Sequence, residues 1–357
     1  MKKLFEPVDL GHLTIKNRLI RSATMETDVI RDGLITPELK EEYVQLAKGG
    51  VGLIITGMMG IGPNSRVAAE MVGTEKESFV EKLGEMVESV HAYGCKLVVQ
   101  LSHCGCKVTQ LDTQDAPRGA SPIEMAPGVW AKEMSKEEIA QVVADFGAAA
   151  ERCKQAGADG VQIHAAHAYL LSQFLSPYFN QRTDEYGGSI ENRARIVLEV
   201  YRSVRQAVGE DYPILIKINY RDLVENGLTG EECIRVCQML EPLGLDAAEV
   251  SSGINVDRAS ASSPRMRDGR LANFNEGALA VAAATGLPVI SVSGHRDRGT
   301  IEQFLDQGKV VAISMSRPFL REPDLPAKWE RGDPEPAKCV SCNQCFKGEY
   351  NCKLIGK

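Results

Sequence analysis

His164, His167 and Tyr169 stand within six residues of one another, where the apolar run GVQIHA (160–165) gives way to AHAYLL. A strand running into a turn can aim all three side chains into one pocket. Two imidazoles there can donate hydrogen bonds to a carbonyl oxygen and favour a developing enolate, and a tyrosine hydroxyl can deliver a proton. The chain has only six histidines and two share this strand end, so structural packing beneath a loop accounts for the pair less well than chemistry does. His-x-x-His can also be read as a metal site, but it offers two ligands and no evident third carboxylate.

Other chemistry-bearing residues close neighbouring apolar runs. Gln100, in CKLVVQLS (95–102), offers a donor and an acceptor suited to the edge of a planar amide-like ring. Lys217 lies between Ile216 and Ile218 in PILIKIN (213–219). A lysine there is costly without a partner; it either neutralises negative charge gathering on a reduced cofactor or forms an internal salt bridge. Two further runs end in Ser293-Gly294 and Ser316-Arg317. Gly294 permits close backbone approach and Arg317 presents a bidentate fork, so the two ends together predict a bound phosphate. Cys339, Cys342, Cys345 and Cys352 form C-x2-C-x2-C-x6-C. Their thiolates suit one metal centre, either an iron–sulfur cluster or tetrahedral zinc; unligated or disulfide-linked cysteines are the remaining readings. Cys95 is assigned to a core strand, Cys153, Cys233 and Cys237 to helix packing, and Cys104 and Cys106 to a strand mouth.

Something must hold these residues together. Eight short apolar runs, 17–25, 51–57, 95–102, 160–165, 213–219, 246–252, 288–294 and 310–316, alternate with amphipathic segments at 38–49, 76–93, 135–156, 190–208, 229–241, 275–285, 297–307 and from about 317. Strand–helix repeated eight times predicts an α/β fold, a (β/α)8 TIM barrel spanning 1–330. PVDLGHLTIKN at the start predicts an N-terminal hairpin plugging the opposite end, and 331–357 a short Cys-rich C-terminal tail reached through the linker RGDPEPAKC. A doubly wound sheet is the alternative, but neither G-x-G-x-x-G nor G-x-x-x-x-G-K-[ST] occurs. The length beyond a minimal barrel of about 250 residues falls after the third, fourth and sixth strands, on the face where barrels keep their chemistry, and in the tail.

Composition sets the outer bounds. Of 357 residues, 43% are hydrophobic and 25% charged, which is ordinary globular usage, and the net charge of -7 gives no basic field for nucleic acid. No apolar stretch approaches a membrane span, and the charged start has no apolar core behind it, so no secretory signal is read and a cytoplasmic protein is expected.

These residues resemble a known family. NRLIRSAT, the strand ending in Gln100, HAAHAYLLSQFLSPYFNQRTDEYGGSIENR (164–193) and SRPFLREPDL are similar to the old yellow enzyme family of FMN-dependent ene-reductases, over roughly residues 5–330. The resemblance implies FMN over the C-terminal mouth, NADH or NADPH as hydride donor, and a small-molecule activated alkene as acceptor, with hydride delivered from flavin N5. It implies that Ala23, Thr24 and Gly57 lie against the flavin and Gln100 on its pyrimidine portion. Lys217 would lie near N1 and O2, and Ser293, Gly294, Ser316 and Arg317 around the phosphate. His164 and His167 would grip the acceptor oxygen, and Tyr169 would protonate the α-carbon. Met25 departs from the Thr or Cys that many relatives use to tune the ring, and Cys106 replaces the arginine of a His-Ala-Gly-Arg pattern. Larger relatives, dienoyl-CoA reductase and trimethylamine dehydrogenase, carry a four-iron cluster in the region of the cysteine tail and continue into nucleotide-binding domains, for which this sequence leaves no room. A [4Fe–4S] cluster, or zinc in its place, is therefore expected at the four cysteines.

Three readings compete with the ene-reductase. A flavin dehydrogenase would exchange electrons with a separate electron-transfer protein through the cluster. A non-flavin aldolase or isomerase would use Lys217 for a Schiff base. A non-enzymatic barrel would turn over nothing. A homo-oligomer is compatible with all of them.

Overall fold

The computed structural model describes residues 4–26, 30–68, 70–109, 116–254, 274–292, 294–346 and 352–355. The chain opens with an antiparallel pair, β1 (Val8–Leu10) and β2 (Leu13–Ile15), turned at Gly11. Then come β3 (Leu19–Arg21), α1 (Pro37–Lys48), β4 (Leu53–Gly60), α2 (Phe79–His91) and β5 (Lys96–Ser102). A small three-stranded sheet follows, β6 (Arg118–Gly119), β7 (Ile123–Ala126) and β8 (Val129–Glu133), and then α3 (Lys136–Gln155). The second half runs β9 (Gly160–Ala165), α4 (Leu170–Leu175), α5 (Ile190–Arg193), α6 (Arg195–Val208), β10 (Ile214–Asn219), α7 (Gly230–Leu240), β11 (Ala247–Ser251), α8 (Asn275–Ala284), β12 (Val289–Val292), α9 (Arg298–Asp306) and β13 (Val310–Met315). Two short helices, α10 (Arg317–Arg321) and α11 (Leu325–Glu330), lead to the tail.

β3, β4, β5, β9, β10, β11, β12 and β13 pair in parallel in that order, and β13 closes back on β3. The predicted (β/α)8 barrel is thus the fold. Its strands are short runs of β-branched and apolar residues covered on both sides, which suits parallel pairing. The helices begin on local signals. Ser135 caps α3 by accepting from Glu138 N, while the Glu138 carboxylate accepts from Ser135 N; Thr229 and Glu232 do the same for α7. Each cap is worth about 1 kcal/mol. Ile139, Val142, Phe146, Ala149 and Cys153 then recur at helical spacing and bury the inner face of α3.

The hairpin does plug the barrel floor. Val8, Leu10, Leu13 and Ile15 pack in one cluster with Ile20, Leu53, Val98, Leu215, Ala247 and other inward residues of the strand starts. His12 and Gly11 sit on Asp246, which also meets Arg205.

Some strand limits differ from the sequence expectation. The first, expected over 17–25, ends at Arg21. Thr24 Oγ1 donates to Ser22 O at 2.9 Å, a local turn that takes Ala23–Met25 off the ladder after a last bond from Ser22 N to Met315 O. The second runs on to Gly60 instead of stopping at Gly57. The seventh covers Val289–Val292 only, and Ser293 lies outside the described residues. The helix expected over 190–208 consists of α5 and α6, which meet at Ala194.

Candidate active site

Inside a barrel, alternate residues of each strand point inward, so the interior rises in steps of two. The floor is apolar: Ile20, Val98, Leu215, Ala247 and Ala312. Two residues further along, the same strands place Ser22, Gln100, Lys217, Glu249 and Ser314, and β9 adds Gln162. All six are buried, and they form one network. Lys217 faces Glu249 in the β10–β11 register, with its ammonium 3.3 Å from Glu249 Oε2. That ammonium donates to Ser22 Oγ at 2.8 Å. Glu249 Oε1 accepts from Ser22 Oγ and Ser314 Oγ at 2.7 and 2.6 Å, and Oε2 accepts from Gln162 Nε2 at 2.9 Å. Gln162 Oε1 in turn accepts from Gln100 Nε2 at 2.6 Å. Burial alone would raise the Glu249 carboxyl; Lys217, Ser314, Ser22 and Gln162 together hold it below its ordinary range. The internal salt bridge that the sequence allowed for Lys217 is present.

The next step up is the mouth. His164 follows Gln162 on β9, and its ring lies 5.4 Å from that of His167 and 5.0 Å from that of Tyr169, edge-on to both. The chain turns sharply to bring them together: His167 and Ala168 have φ of 61° and 59°. Such left-handed conformations cost non-glycine residues about 1–3 kcal/mol each and persist where neighbours fix them. Here Ser172 Oγ accepts from Ala168 N at 3.2 Å, Gln173 Nε2 donates to Ala168 O at 2.8 Å, and Lys107 Nζ donates to His167 O at 3.0 Å. His167 Nε2 lies 2.8 Å from Ser251 Oγ, two residues above Glu249.

Electrostatically the two imidazoles are neutral donors. Burial lowers His164 well below its ordinary value, with His167 and Lys217 adding to it. Burial also brings His167 down to about 3, aided by Lys217 and Lys107. The Tyr169 hydroxyl is pushed up by burial, so it stays protonated at neutral pH.

The other sequence candidates ring this mouth at the strand ends. Ala23, Thr24 and Met25 follow β3, and Thr24 Oγ1 lies 2.7 Å from Ser316 Oγ at the end of β13. Met25 lines a cleft with Gly57, Met58 and Met71. A Cβ on Gly57 would come within 2.6 Å of both Thr24 O and Glu26 Oε2, so close packing under the β3 end accounts for this glycine. The buried Glu26 pairs with Arg21 and accepts from Tyr43 Oη at 2.8 Å. Gln100 Oε1 is buried with no hydrogen-bond partner among the described residues, an acceptor suited to a ligand N–H. Gly294 has φ of 74°, a conformation that favours glycine. Arg317, at the start of α10, donates to Asn343 Oδ1 of the tail.

Cys339, Cys342, Cys345 and Cys352 line one pocket together with Arg317 and Arg321. Arg321 Nη1 lies 3.7 Å from Cys352 Sγ. Burial raises the Cys345 thiol, while Arg317 opposes this and Cys339 and Cys342 add to it. Among the described residues no three ligating side chains already converge as a metal-holding group. The remaining cysteines are buried, with Cys104 in a cluster that reaches Met58, Met71 and Tyr169. Cys106 packs with Ala131, Ala168, Phe179 and Ile254.

Six functional candidates escaped the sequence reading: Ser22, Gln162, Glu249, Ser251, Ser314 and Lys107. The first five carry a usable signal, since each lies two residues from an inward neighbour. Lys107 carries none of this kind. It ends a 3-10 turn, Gly105–Lys107, with its ammonium 5.2 Å from the centre of the Tyr169 ring.

Known proteins agree with this architecture. Residues 3–335 match the family model described as NADH:flavin oxidoreductase / NADH oxidase. A metal reductase of Desulforamulus reducens is 35% identical over 358 aligned positions, which cover 99% of this chain and 53% of that protein. The structure of a 2-naphthoyl-CoA reductase in complex with 2-naphthoyl-CoA superposes with a TM-score of 0.88 at 27% identity, over 97% of this chain and 54% of that one. The old yellow enzyme homologue of Zymomonas mobilis superposes with a TM-score of 0.79 at 27% identity, over 94% of each chain. The chain spans about half the length of the first two and nearly all of the third. No helix among the described residues is long and apolar enough to cross a membrane.

Proposed function

The chain belongs to the NADH:flavin oxidoreductase / NADH oxidase family, and from that premise we propose that it is an FMN-dependent NAD(P)H oxidoreductase that reduces an activated alkene. The observation that carries this reading is the convergence of His164, His167 and Tyr169 above the buried polar layer. FMN fits the residues beneath: Gln100 leaves a buried carbonyl oxygen unpaired, as an imide N–H would require. Ala23, Thr24, Met25 and Gly57 would hold its ring side, with Gln100 and Lys217 on the pyrimidine edge. Ser293, Gly294, Ser316 and Arg317 would take its phosphate. Bound FMN supplies hydride transfer from NADH or NADPH to the alkene β-carbon.

The chain's own groups do the rest. His164 and His167, held neutral, donate to the acceptor's carbonyl oxygen and favour the charge that develops there. Tyr169 delivers its hydroxyl proton to the α-carbon. The strained turn at His167 and Ala168 fixes all three in one cluster.

Released cofactor tests the phosphate assignment. The denatured protein is expected to yield FMN, because one phosphate site stands at two strand ends and no dinucleotide motif occurs. Chromatography of the supernatant decides it, and FAD as the main flavin removes this reading of Gly294 and Arg317.

A second reading is favoured by the cysteine pocket. Four thiols of a C-x2-C-x2-C-x6-C segment line one cavity, a donor set for a [4Fe–4S] cluster, with zinc as the alternative. Such a cluster supplies single-electron transfer, so a flavin dehydrogenase passing electrons to a partner protein is the variant it supports. Cys345→Ser is expected to lose the centre, read as iron and acid-labile sulfide in anaerobically purified protein. One zinc without sulfide in the wild type selects the structural alternative, and neither metal leaves the cysteines unligated. We place the protein in the cytoplasm, where free thiols of this density persist.

A further inference from the structure

An amide offers a donor or an acceptor at a given point according to which way it is turned. Glu249 removes that freedom from Gln162 and Gln100. It is buried on β11, and Lys217 Nζ lies 3.3 Å from its Oε2. Its carboxyl is held below the ordinary range, so it is ionised at neutral pH. An ionised carboxylate only accepts. Ser22 and Ser314 therefore donate to it, and Gln162 turns its Nε2 toward it. Gln162 then has its carbonyl left for the other side, where Gln100, its register partner on β5, meets it with Nε2 at 2.6 Å. Gln100 is left with Oε1, which finds no partner among the described residues.

The direction is fixed at Glu249 and expressed two side chains away. Turning Gln100 over by itself would set its carbonyl against that of Gln162. Turning both over would set the Gln162 carbonyl against the Glu249 carboxylate. Both glutamines are fully buried, so bulk water relieves neither mismatch, and opposed acceptors cost most where the surroundings are dry. The chain of contacts is also braced by the barrel. Gln100 N donates to Thr56 Oγ1 of β4 at 3.0 Å, and Gln162 reaches Glu249 past β10, which lies between their strands.

Resting on the FMN reading, we infer that Glu249 and Gln162 are positioning residues that lock the Gln100 amide with its carbonyl toward the ligand, so that the site selects a ring bearing an imide N–H and opposes loss of that proton. Gln100 meets the ring; Glu249 and Gln162 act only through it. A carbonyl held toward an N–H favours the protonated nitrogen and disfavours its anion. An unrestrained amide would answer the anion by presenting its NH2 instead. The lock is therefore invisible while the ligand donates and shows itself when the ligand nitrogen is made to accept.

The test is an alkaline absorption titration of the FMN holoenzyme, which reads ionisation of flavin N3, with free FMN measured alongside. The wild type is expected to ionise at higher pH than free FMN. Gln162→Met removes the relay without changing charge and frees Gln100 to turn its NH2 to the N3 anion. Its N3 ionisation constant should rise about 10- to 100-fold above that of the wild type, the span of one hydrogen bond to a charged group. Gln162→Glu should stay at or below the wild-type constant, since a carboxyl there still accepts from Gln100 in either protonation state. If the methionine variant does not fold, Gln162→Leu carries the same expectation. If the protein unfolds before N3 ionises, exchange of the N3 proton at neutral pH, followed by NMR of nitrogen-labelled FMN, replaces the titration. Base-catalysed exchange passes through the same anion and should be faster in Gln162→Met by the same factor. A Gln162→Met constant within about twofold of wild type, or a wild type that ionises more readily than free FMN, overturns the relay and leaves the FMN reading standing. So does a Gln162→Glu variant that ionises as readily as Gln162→Met. A chain that takes up no FMN fails earlier, at the FMN reading itself, and removes the relay with it.

Discussion

Tyr169→Phe slows acceptor reduction by about 10²–10⁴-fold, the usual worth of a positioned general acid, while bleaching of the flavin by NADH or NADPH stays within about twofold of wild type. The asymmetry follows from where the proton is needed. Carbon must be protonated only when the alkene is saturated, and the Tyr169 hydroxyl is held in its protonated form by burial. Its ring lies 5.0 Å from that of His164, so the acid and the oxygen-gripping donor share one substrate. His164→Ala and His167→Ala are each expected to lose about 10²-fold in the same half of the cycle, as removal of one donor from a developing oxyanion does. Rapid mixing measures the halves separately. Equal slowing of both by Tyr169→Phe would take the proton away from this residue.

The pH profile adds an independent check. His167 titrates down at about 3 and His164 is lowered well below the ordinary imidazole range. Neither gains a proton between about pH 5 and pH 8, where a free imidazole would. Acceptor reduction should therefore show no imidazole step in that window. A step near about pH 6.5 that disappears in His167→Ala would mean that the imidazole acts as a charged group.

Much of this site was legible because strands announce their ends. GVQIHA stops where His164 begins the mouth, and CKLVVQLS stops just beyond Gln100, so side chains with chemistry fell at apolar boundaries. The barrel itself was legible because eight such runs alternate with helical ones, and the plug because VDLGHLTI alternates apolar and polar about a glycine. The buried network was not. Reading each strand as apolar on both faces blurs its period of two, and Glu249 in AAEVS looks like an exposed outlier. The step from Leu215 to Lys217 to Asn219, matched by Ala247 to Glu249 to Ser251, becomes meaningful only once the register sets the two strands side by side. Lys107 is harder still. It lies in a turn, where no periodicity projects a side chain's direction.

Glu249→Gln is expected to destabilise the protein by about 3–5 kcal/mol, because it strands a buried ammonium. Lys217 then keeps Ser22 Oγ as an acceptor and meets a neutral amide in place of its counter-charge. Lys217→Met should cost less, since Glu249 still accepts from Ser22, Ser314 and Gln162. The double variant Lys217→Met/Glu249→Gln should recover part of the larger loss, as replacing a buried pair together often does. The pH dependence differs between the two forms. In the wild type the Glu249 carboxyl lies below its ordinary 4.5, so the stability it contributes is full above that value and is lost as pH falls through its folded pKa. In Lys217→Met the opposing charge of Lys217 is gone, so the carboxyl moves up from its wild-type position. The stability it contributes is then lost at a higher pH than in the wild type. The Lys217→Met deficit should therefore shrink as pH falls from about 7 into the carboxylate range at about 4. Urea unfolding of the three variants across that range measures this, and a deficit independent of pH would mean that Glu249 is not held charged by Lys217.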